Sequence, residues 1–474
     1  MSSTFIEAWL QDIPKHMSQD IDIQRPSKRQ RRQHPVTPDP SEDCPFAEMP
    51  PLSPTKRQNS QISNDENQDH DKTPKPKRAR SVRSESEHSL SSHLSYHSSQ
   101  VSGQSSPRKQ LLNLKLDTRG IEFRDLVLFE DKPIELEDLL DEIELVMEGK
   151  GIVSISQQDA LMAASRSSKD FKWAARGGSY FSPDRDAIGH TPSPEDVGRI
   201  LAAAAECSSN SHHEANWNME VHNPLLSLAF RPPAQGLYTH LVNFMGCTHA
   251  NLISDYTNSS VSKKVDFSIY IEPSNDIELL AQNNSVIDAI SRCQRDLPSA
   301  CVNFTDATPL AHRPVAFSIE TKKPSAGFDG AKLQLGIWQN AHWTFLRHLA
   351  QVASDRCAAA EEAAAAEKAT PAEPGQMEIA QELIEQATKP KKTFDLPTFV
   401  PGIIIQGHQW HLIITTPQDR KTMVWQSVSI GSTQSTKGIY QIVYVLHFLR
   451  EWVKSKYWPL IRNIVGAGWP GMPA

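Results

Sequence analysis

The chain has no cysteine pattern for binding metal and no apolar run of bilayer length. Its six cysteines (Cys44, Cys207, Cys247, Cys293, Cys301, Cys357) form no CxxC pair and no zinc-ligand spacing, which excludes finger and ribbon folds and fits reduced intracellular thiols. No stretch approaches the roughly 20 consecutive apolar residues of a membrane span. Met1 to Pro14 has no basic segment leading into an apolar core, so no signal peptide is expected. The reading is a soluble intracellular protein without a membrane partner. Excess positive charge is also missing. Lys and Arg total 49 against 56 Asp and Glu, a formal charge of -7, so any nucleic-acid contact must come from local patches. Hydrophobic residues make up only 38%, and the 33 prolines lie mostly outside the apolar segments. Not all of the 474 residues therefore look able to fold. No internal repeat is visible.

The residues that are present divide the chain. Positions 1–115 are rich in Ser, Pro, Gln, Asp and Lys with almost no apolar clusters. They bury too little to offset ordering entropy, so a long disordered tail is expected. Two basic clusters stand in it, Lys28-Arg29-Gln30-Arg31-Arg32 and Lys75-Pro76-Lys77-Arg78-Ala79-Arg80 running on to Arg83. They read as signals for the nuclear import machinery, with a solvated charge run as the plain alternative. Thr37-Pro38, Ser53-Pro54 and Ser106-Pro107 would suit phosphorylation or ordinary linker chemistry.

A folded domain is expected over 116–463, with a helical part at 120–208, a core at 212–463, a low-complexity insertion at 354–393 and a frayed end at 464–474. Pro133 to Glu148 shows three-and-four apolar spacing. Ser193-Pro194-Glu195-Asp196 reads as a capped helix start. Within Glu214 to Phe230, Pro224 would clash with the Glu220 carbonyl, so either a kink or a new helix capped by Asn223 is expected there. Either option leaves Glu220 at an irregularity. Val265 to Ile271 alternates as a strand, with Asp266 on the face opposite Val265, Phe267 and Ile269. Lys332 to Ala350 is a packed helix. Phe399 to Gly407 reads as a central strand, followed by strands at His411–Thr415 and Thr422–Ile430 around Pro417-Gln418-Asp419. Met377, Ala380, Leu383 and Ile384 suggest a short helix within the insertion, and Gly438 to Lys454 a last strong helix.

The chemistry concentrates in Val315-Ala316-Phe317-Ser318-Ile319-Glu320-Thr321-Lys322-Lys323. Alternation puts Glu320 and Lys322 on one face of an apolar strand, where desolvation makes charge expensive. The acid-x-lysine pattern alone means little, because Glu130-Asp131-Lys132, Glu148-Gly149-Lys150, Asp170-Phe171-Lys172 and Asp419-Arg420-Lys421 share it. Those copies read as solvated charge. Only Glu320-Thr321-Lys322 ends an apolar strand, follows a strand bearing Asp266 and precedes a packed helix. Phosphodiester hydrolysis gives that grouping a reason. Asp266 and Glu320 could supply oxygens to a hard cation such as Mg²⁺, and Lys322 could orient or deprotonate the attacking water. A structural ion pair at a strand end is the competing reading.

The set Asp266, Glu320-Thr321-Lys322, an upstream helical glutamate and a downstream helix bearing Gln334 resembles the PD-(D/E)XK nuclease superfamily. More narrowly it resembles the fungal PD-(D/E)XK nuclease-like domain proteins. The matching stretches are Trp217 to His222, Val265-Asp266-Phe267, Arg313 to Lys323, Gln334 to Trp338, Gly407 to Trp410, and Ile430 to Val443. Val265 stands where the superfamily's name has proline. The resemblance covers about Leu126 to Pro459. It implies an α/β, restriction-endonuclease-like fold with a mixed central sheet flanked by helices. It also implies Asp266 and Glu320 as ligands of Mg²⁺ (or Mn²⁺), Lys322 as the catalytic lysine, Glu220 as an auxiliary carboxylate and Gln334 facing the site. Gln334 could equally be a helix-surface residue. His408 and Trp410 could contact substrate or simply pack, and Lys263, Lys264 and Lys323 could meet phosphates. The expected function is a nuclear, metal-dependent nuclease acting on DNA, with a catalytically inactive nucleic-acid-binding or scaffold protein as the alternative.

Overall fold

In a computed structural model of the chain, the described residues are 106–233, 236–257, 263–277, 285–368 and 391–470. The basic clusters, most of the expected tail and the apolar positions from Met377 to Ile384 lie outside them. The described strands are β1 (Ile121–Asp125), β2 (Val153–Ser154), β3 (Phe181–Ser182), β4 (Val242–Gly246), β5 (Phe267–Ile271), β6 (Val315–Lys322), β7 (Val400–Gln406), β8 (Gln409–Gln418) and β9 (Lys421–Ser432). Seven of them form one mixed sheet in the order β1-β9-β8-β7-β6-β5-β4, and β2 and β3 pair separately. β6 runs parallel to β7 and antiparallel to β5. The run of Ile403, Ile404 and Ile405 is buried on both faces, as expected for a central strand between two helical layers.

Helices cover both faces: α1 (Pro107–Leu116), α2 (Ile134–Glu148), α3 (Gln158–Ser167), α4 (Pro194–Ser209), α5 (Glu214–Trp217), α6 (Asn223–Phe230), α7 (Ser285–Asp296), α8 (Phe328–Lys368), α9 (Thr436–Trp452) and α10 (Trp458–Gly468). α8 lies on the face that carries Ser318, to which the Trp338 indole donates at 2.9 Å. The α5–α6 segment meets the other face, where the Thr321 hydroxyl donates to Asn218 Oδ1 at 2.9 Å. α4 begins as its sequence predicts, with Ser193 Oγ accepting from the Asp196 N–H and Pro194 in the first turn.

Helices dominate the stretch from 120 to 208, to which β1 adds a parallel edge strand beside β9. Three expectations are corrected. α8 runs through Lys368, so the region from 354 onward starts as helix, and an ion pair at 2.9 Å links Asp355 on that helix to Lys391. The end does not fray at 464: α10 continues to Gly468, with Ile464, Val465 and Trp469 buried. Asn223 is not a cap either, since its dihedrals are helical.

Instead, a π-helical turn at Asn218–His222 carries the helix into Pro224. The wider turn relieves the ring's clash with the carbonyl four residues back while keeping the rod continuous. The same device recurs at Val453–Tyr457, just before Trp458-Pro459.

β7 and β8 are joined by Gly407-His408. Gly407 has φ +55°, and an added Cβ would overlap Pro324 Cγ. Gly407→Ala should therefore destabilise the fold by about 1–3 kcal/mol through strain and overlap, measured as a lower midpoint in denaturant. Unchanged stability would show that the turn relaxes freely.

Candidate active site

The site forms where one strand stops and its neighbour continues. β5 begins at Phe267, which pairs with Ile319 of β6, and the Asp266 N–H still donates to Ile319 O at 3.1 Å. Beyond that point β6 has no strand partner on this side among the described residues. The freed Thr321 N–H is taken by Asp266 Oδ2 at 2.8 Å, and the Thr321 hydroxyl lies 3.0 Å from the same oxygen. Asp266 Oδ1 accepts from the Asn218 amide at 3.0 Å. One residue beyond the Phe267–Ile319 pair, Asp266 stands at the strand end next to Glu320, and its charge reaches the Glu320 carboxyl.

Glu320 is 1% exposed. Its Oε1 pairs with the Lys322 ammonium, while Oε2 is buried without a partner among the described residues. Burial pushes its carboxyl well above the usual range. The Asp266 charge adds to the push, Glu214 contributes a smaller part, and Lys322 opposes it. Asp266 is likewise raised, chiefly by burial. Lys322 Nζ also donates to Thr321 O at 2.7 Å and sits 3.5 Å from Glu214 Oε2. Burial alone would lower the lysine's pKa, but Glu320, Glu214 and Asp266 outweigh it and the net shift is upward. Lys322 is thus held as an ammonium at neutral pH, which suits orienting water and offsetting charge rather than taking a proton. Lys263 stands close enough to feel both Glu320 and Lys322.

Asp266, Glu320 and Lys322 therefore lie within electrostatic reach of one another, and Glu220 does not join them. Glu220 is exposed, on the side near Cys207. The nearby carboxylate is Glu214, raised chiefly by burial and contacted by Lys322 and the Lys323 backbone. Treating the proline-associated irregularity as a presentation point for Glu220 misplaced it, because the π-turn absorbs the irregularity inside the helix. Helical spacing carried the missing signal: Glu214, Trp217, Asn218, Val221 and His222 fall on one stripe at intervals of three and four. Asn218 is the second residue missed. It bridges Asp266 to the buried His222, whose Nδ1 is 2.9 Å from Asn218 Oδ1. Burial lowers the pKa of His222 to about 4, so it is neutral.

Gln334 turns to the backbone rather than to the carboxylates. It donates to Lys264 O at 3.2 Å, bracing the chain two residues before Asp266. Trp410 is fully buried, and half-buried His408 is held by Thr433 Oγ1 at 2.9 Å with Trp217 edge-on at 5.0 Å. Both pack.

The sequence pattern that defines the PD-(D/E)XK nuclease superfamily matches residues 160–458, more than half of the chain. This chain belongs to the PD-(D/E)XK nuclease superfamily. No curated protein matches it, and no solved structure does. Nucleases of this superfamily typically use divalent metal ions. Among the described residues, no three His, Cys, Asp or Glu side chains form a ready-made metal cage. Hard cations such as Mg²⁺ need only one or two protein carboxylates, with water and phosphate completing the shell. The orphaned Glu320 Oε2, beside Asp266 in an anion-rich pocket, fits that need.

An acid whose folded pKa is raised contributes stability below its unfolded pKa and loses it as pH rises through the folded value. In chelator at pH 7.5, Glu320→Gln should therefore raise the melting temperature by about 2 °C or more. The gain over the parent should shrink as pH falls toward 4.5, the ordinary glutamate value. A destabilised variant at pH 7.5 would show instead that the Lys322 pairing outweighs desolvation.

Proposed function

We propose that this chain is a metal-dependent nuclease that hydrolyses DNA phosphodiesters at the Asp266–Glu320–Lys322 site. The observation that carries the reading is the buried, unpartnered oxygen of Glu320, beside Asp266 and a lysine held as a cation. Mg²⁺ or Mn²⁺ held by Asp266 and Glu320 would neutralise charge on the scissile phosphate and lower the pKa of the attacking water. Asn218 and the Thr321 N–H fix the Asp266 carboxylate in one orientation. Lys322 aligns the water and balances negative charge developing on the phosphoryl oxygens. Glu214 steadies the ammonium from its far side, and Lys263, Lys264 and Lys323 are close enough in sequence to the acids to meet neighbouring phosphates. The basic clusters at Lys28–Arg32 and Lys75–Arg83 would direct the protein to the nucleus through the import machinery. The stretches shared with the fungal nuclease-like proteins support assigning the chain to that branch of the superfamily.

A catalytically inactive nucleic-acid-binding scaffold is the second reading. It is favoured by how much of the site is already paired: the Asn218 amide and the Thr321 N–H donate to Asp266, the Thr321 hydroxyl lies beside it, and Lys322 is tied to Glu320 and Glu214.

Purified protein incubated with supercoiled or linear DNA plus Mg²⁺ should cleave it. Lys322→Ala and Asp266→Ala should lose at least about 100-fold in rate, and EDTA should abolish cleavage. Equal cleavage by Lys322→Ala would assign the activity to a contaminant. DNA retention in a gel shift without cleavage would select the scaffold, and cleavage confined to RNA would reassign the substrate. In calorimetry, Mg²⁺ should raise the melting temperature of the parent but not of Glu320→Gln.

A further inference from the structure

At the sheet end away from Asp266, two adjoining cavities of about 720 and 480 Å³ share a wall of His240, Arg450, Glu451 and Lys454. Val242, which lines the second cavity, pairs with Ile271, whereas the nuclease-like site sits before Phe267 at the other end of β5. A strand of that length separates the two by about 13 Å or more.

The corner is overloaded with buried cations. Arg450 is 9% exposed; its two Nη atoms donate to Ala229 O at 3.0 Å and Ile188 O at 2.7 Å, while Nε has no partner among the described residues. Behind it Arg185 is fully buried, stacked 4.0 Å over Tyr444, with Nη1 donating to Gly189 O and its other two nitrogens unpartnered. Burial lowers Arg185 to about 10. His240 and Lys454 are both lowered, by burial first and then by Arg450. His240 Nε2 is likewise buried without a partner.

The nearby acids answer only part of this charge: Asp186 acts on Arg185 and Glu451 on Arg450, and in both cases burial still wins. Asp186 is saturated by the Ser154, Ser156 and Thr191 hydroxyls at 2.5, 2.8 and 3.3 Å. Asp276 accepts from the Trp458 indole at 2.6 Å and lies 3.5 Å from Arg462. Among the described residues that line the cavities, only the exposed Glu451 remains, 3.8 Å from Lys454. Close packing preserves the arrangement, because a Cβ on Gly189 would lie 2.6 Å from both Arg450 Nη2 and His447 Nδ1. Desolvated guanidinium with only partial counter-charge is unfavourable, and an anion entering the cavity would reduce that penalty. Ile188, Pro232 and Pro233 give the larger cavity an apolar wall, and its volume is typical of a small-molecule site.

We propose that this corner binds a small organic phosphate of nucleotide size, with the phosphate on Arg450, Lys454 and His240 and the uncharged part against Ile188, Pro232 and Pro233. The proposal stands whether or not the acidic site cleaves DNA.

Calorimetric titration of the full chain with ADP, AMP, inorganic phosphate and adenosine tests it. ADP and AMP should bind saturably, inorganic phosphate more weakly, and adenosine not at all. Lys454→Glu and His240→Ala, both at partly exposed positions that leave Arg450's structural bonds intact, should each weaken AMP binding by about tenfold or more. AMP should also raise the melting temperature of the parent more than that of either variant. The proposal falls if neither nucleotide binds below about 1 mM or if both variants bind AMP like the parent. It also falls if only 5′-phosphorylated oligonucleotides bind, since the ligand would then be a strand end rather than a small molecule.

Discussion

The site depends on one unpaired backbone amide. β6 outruns β5, and the Thr321 N–H left over would be a buried donor without an acceptor. Asp266 accepts it, and doing so fixes the carboxylate at the sheet end opposite Glu320. The strand offset, the position of the first acid and the proximity of the second therefore share one cause. Asp266 holds the strand end with the same two oxygens that it would offer a cation, and its replacement would disturb the offset.

The π-turns govern the layer of residues behind the site. A proline in mid-helix normally breaks the rod, but here the chain inserts a wider turn ahead of Pro224 and again ahead of Pro459. The extra residue rotates everything before it relative to everything after it. In the first case that rotation lets Asn218 face Asp266 and Thr321 while Glu220 remains in solvent. A feature that looks like a packing repair thus decides which acid of this helix sits beside Lys322.

Much of this was legible in the sequence. Alternation exposed β5 and β6, and the apolar face of β6 made Glu320 and Lys322 stand out from four other acid-x-lysine copies. The capped start of α4 and the central position of β7 were equally readable, because cap chemistry and two-sided apolar runs are local signals. What was hidden depended on tertiary partners. β1, although it alternates Ile121 and Phe123 against Glu122 and Arg124, is stabilised by pairing with residues some 300 positions later. Glu214 shares a helical stripe with Asn218 and His222, but nothing in that spacing shows that Lys322 stands against it. Trp469 is buried and donates to Asp296, although the Gly- and Pro-rich composition around it suggested fraying.

The Asp355–Lys391 ion pair carries a consequence for the chain's architecture. Lys391 returns to within salt-bridge distance of Asp355 on α8, next to Arg356, which donates to Gly468 O of α10. The chain on either side of 369–390 is thus brought back to one place, and lengthening the connection adds only a slowly growing closure entropy. Its length is therefore decoupled from the sheet, from the carboxylate pair and from the cation-rich corner. The body could keep its geometry while this arm is lengthened, shortened or exchanged for another.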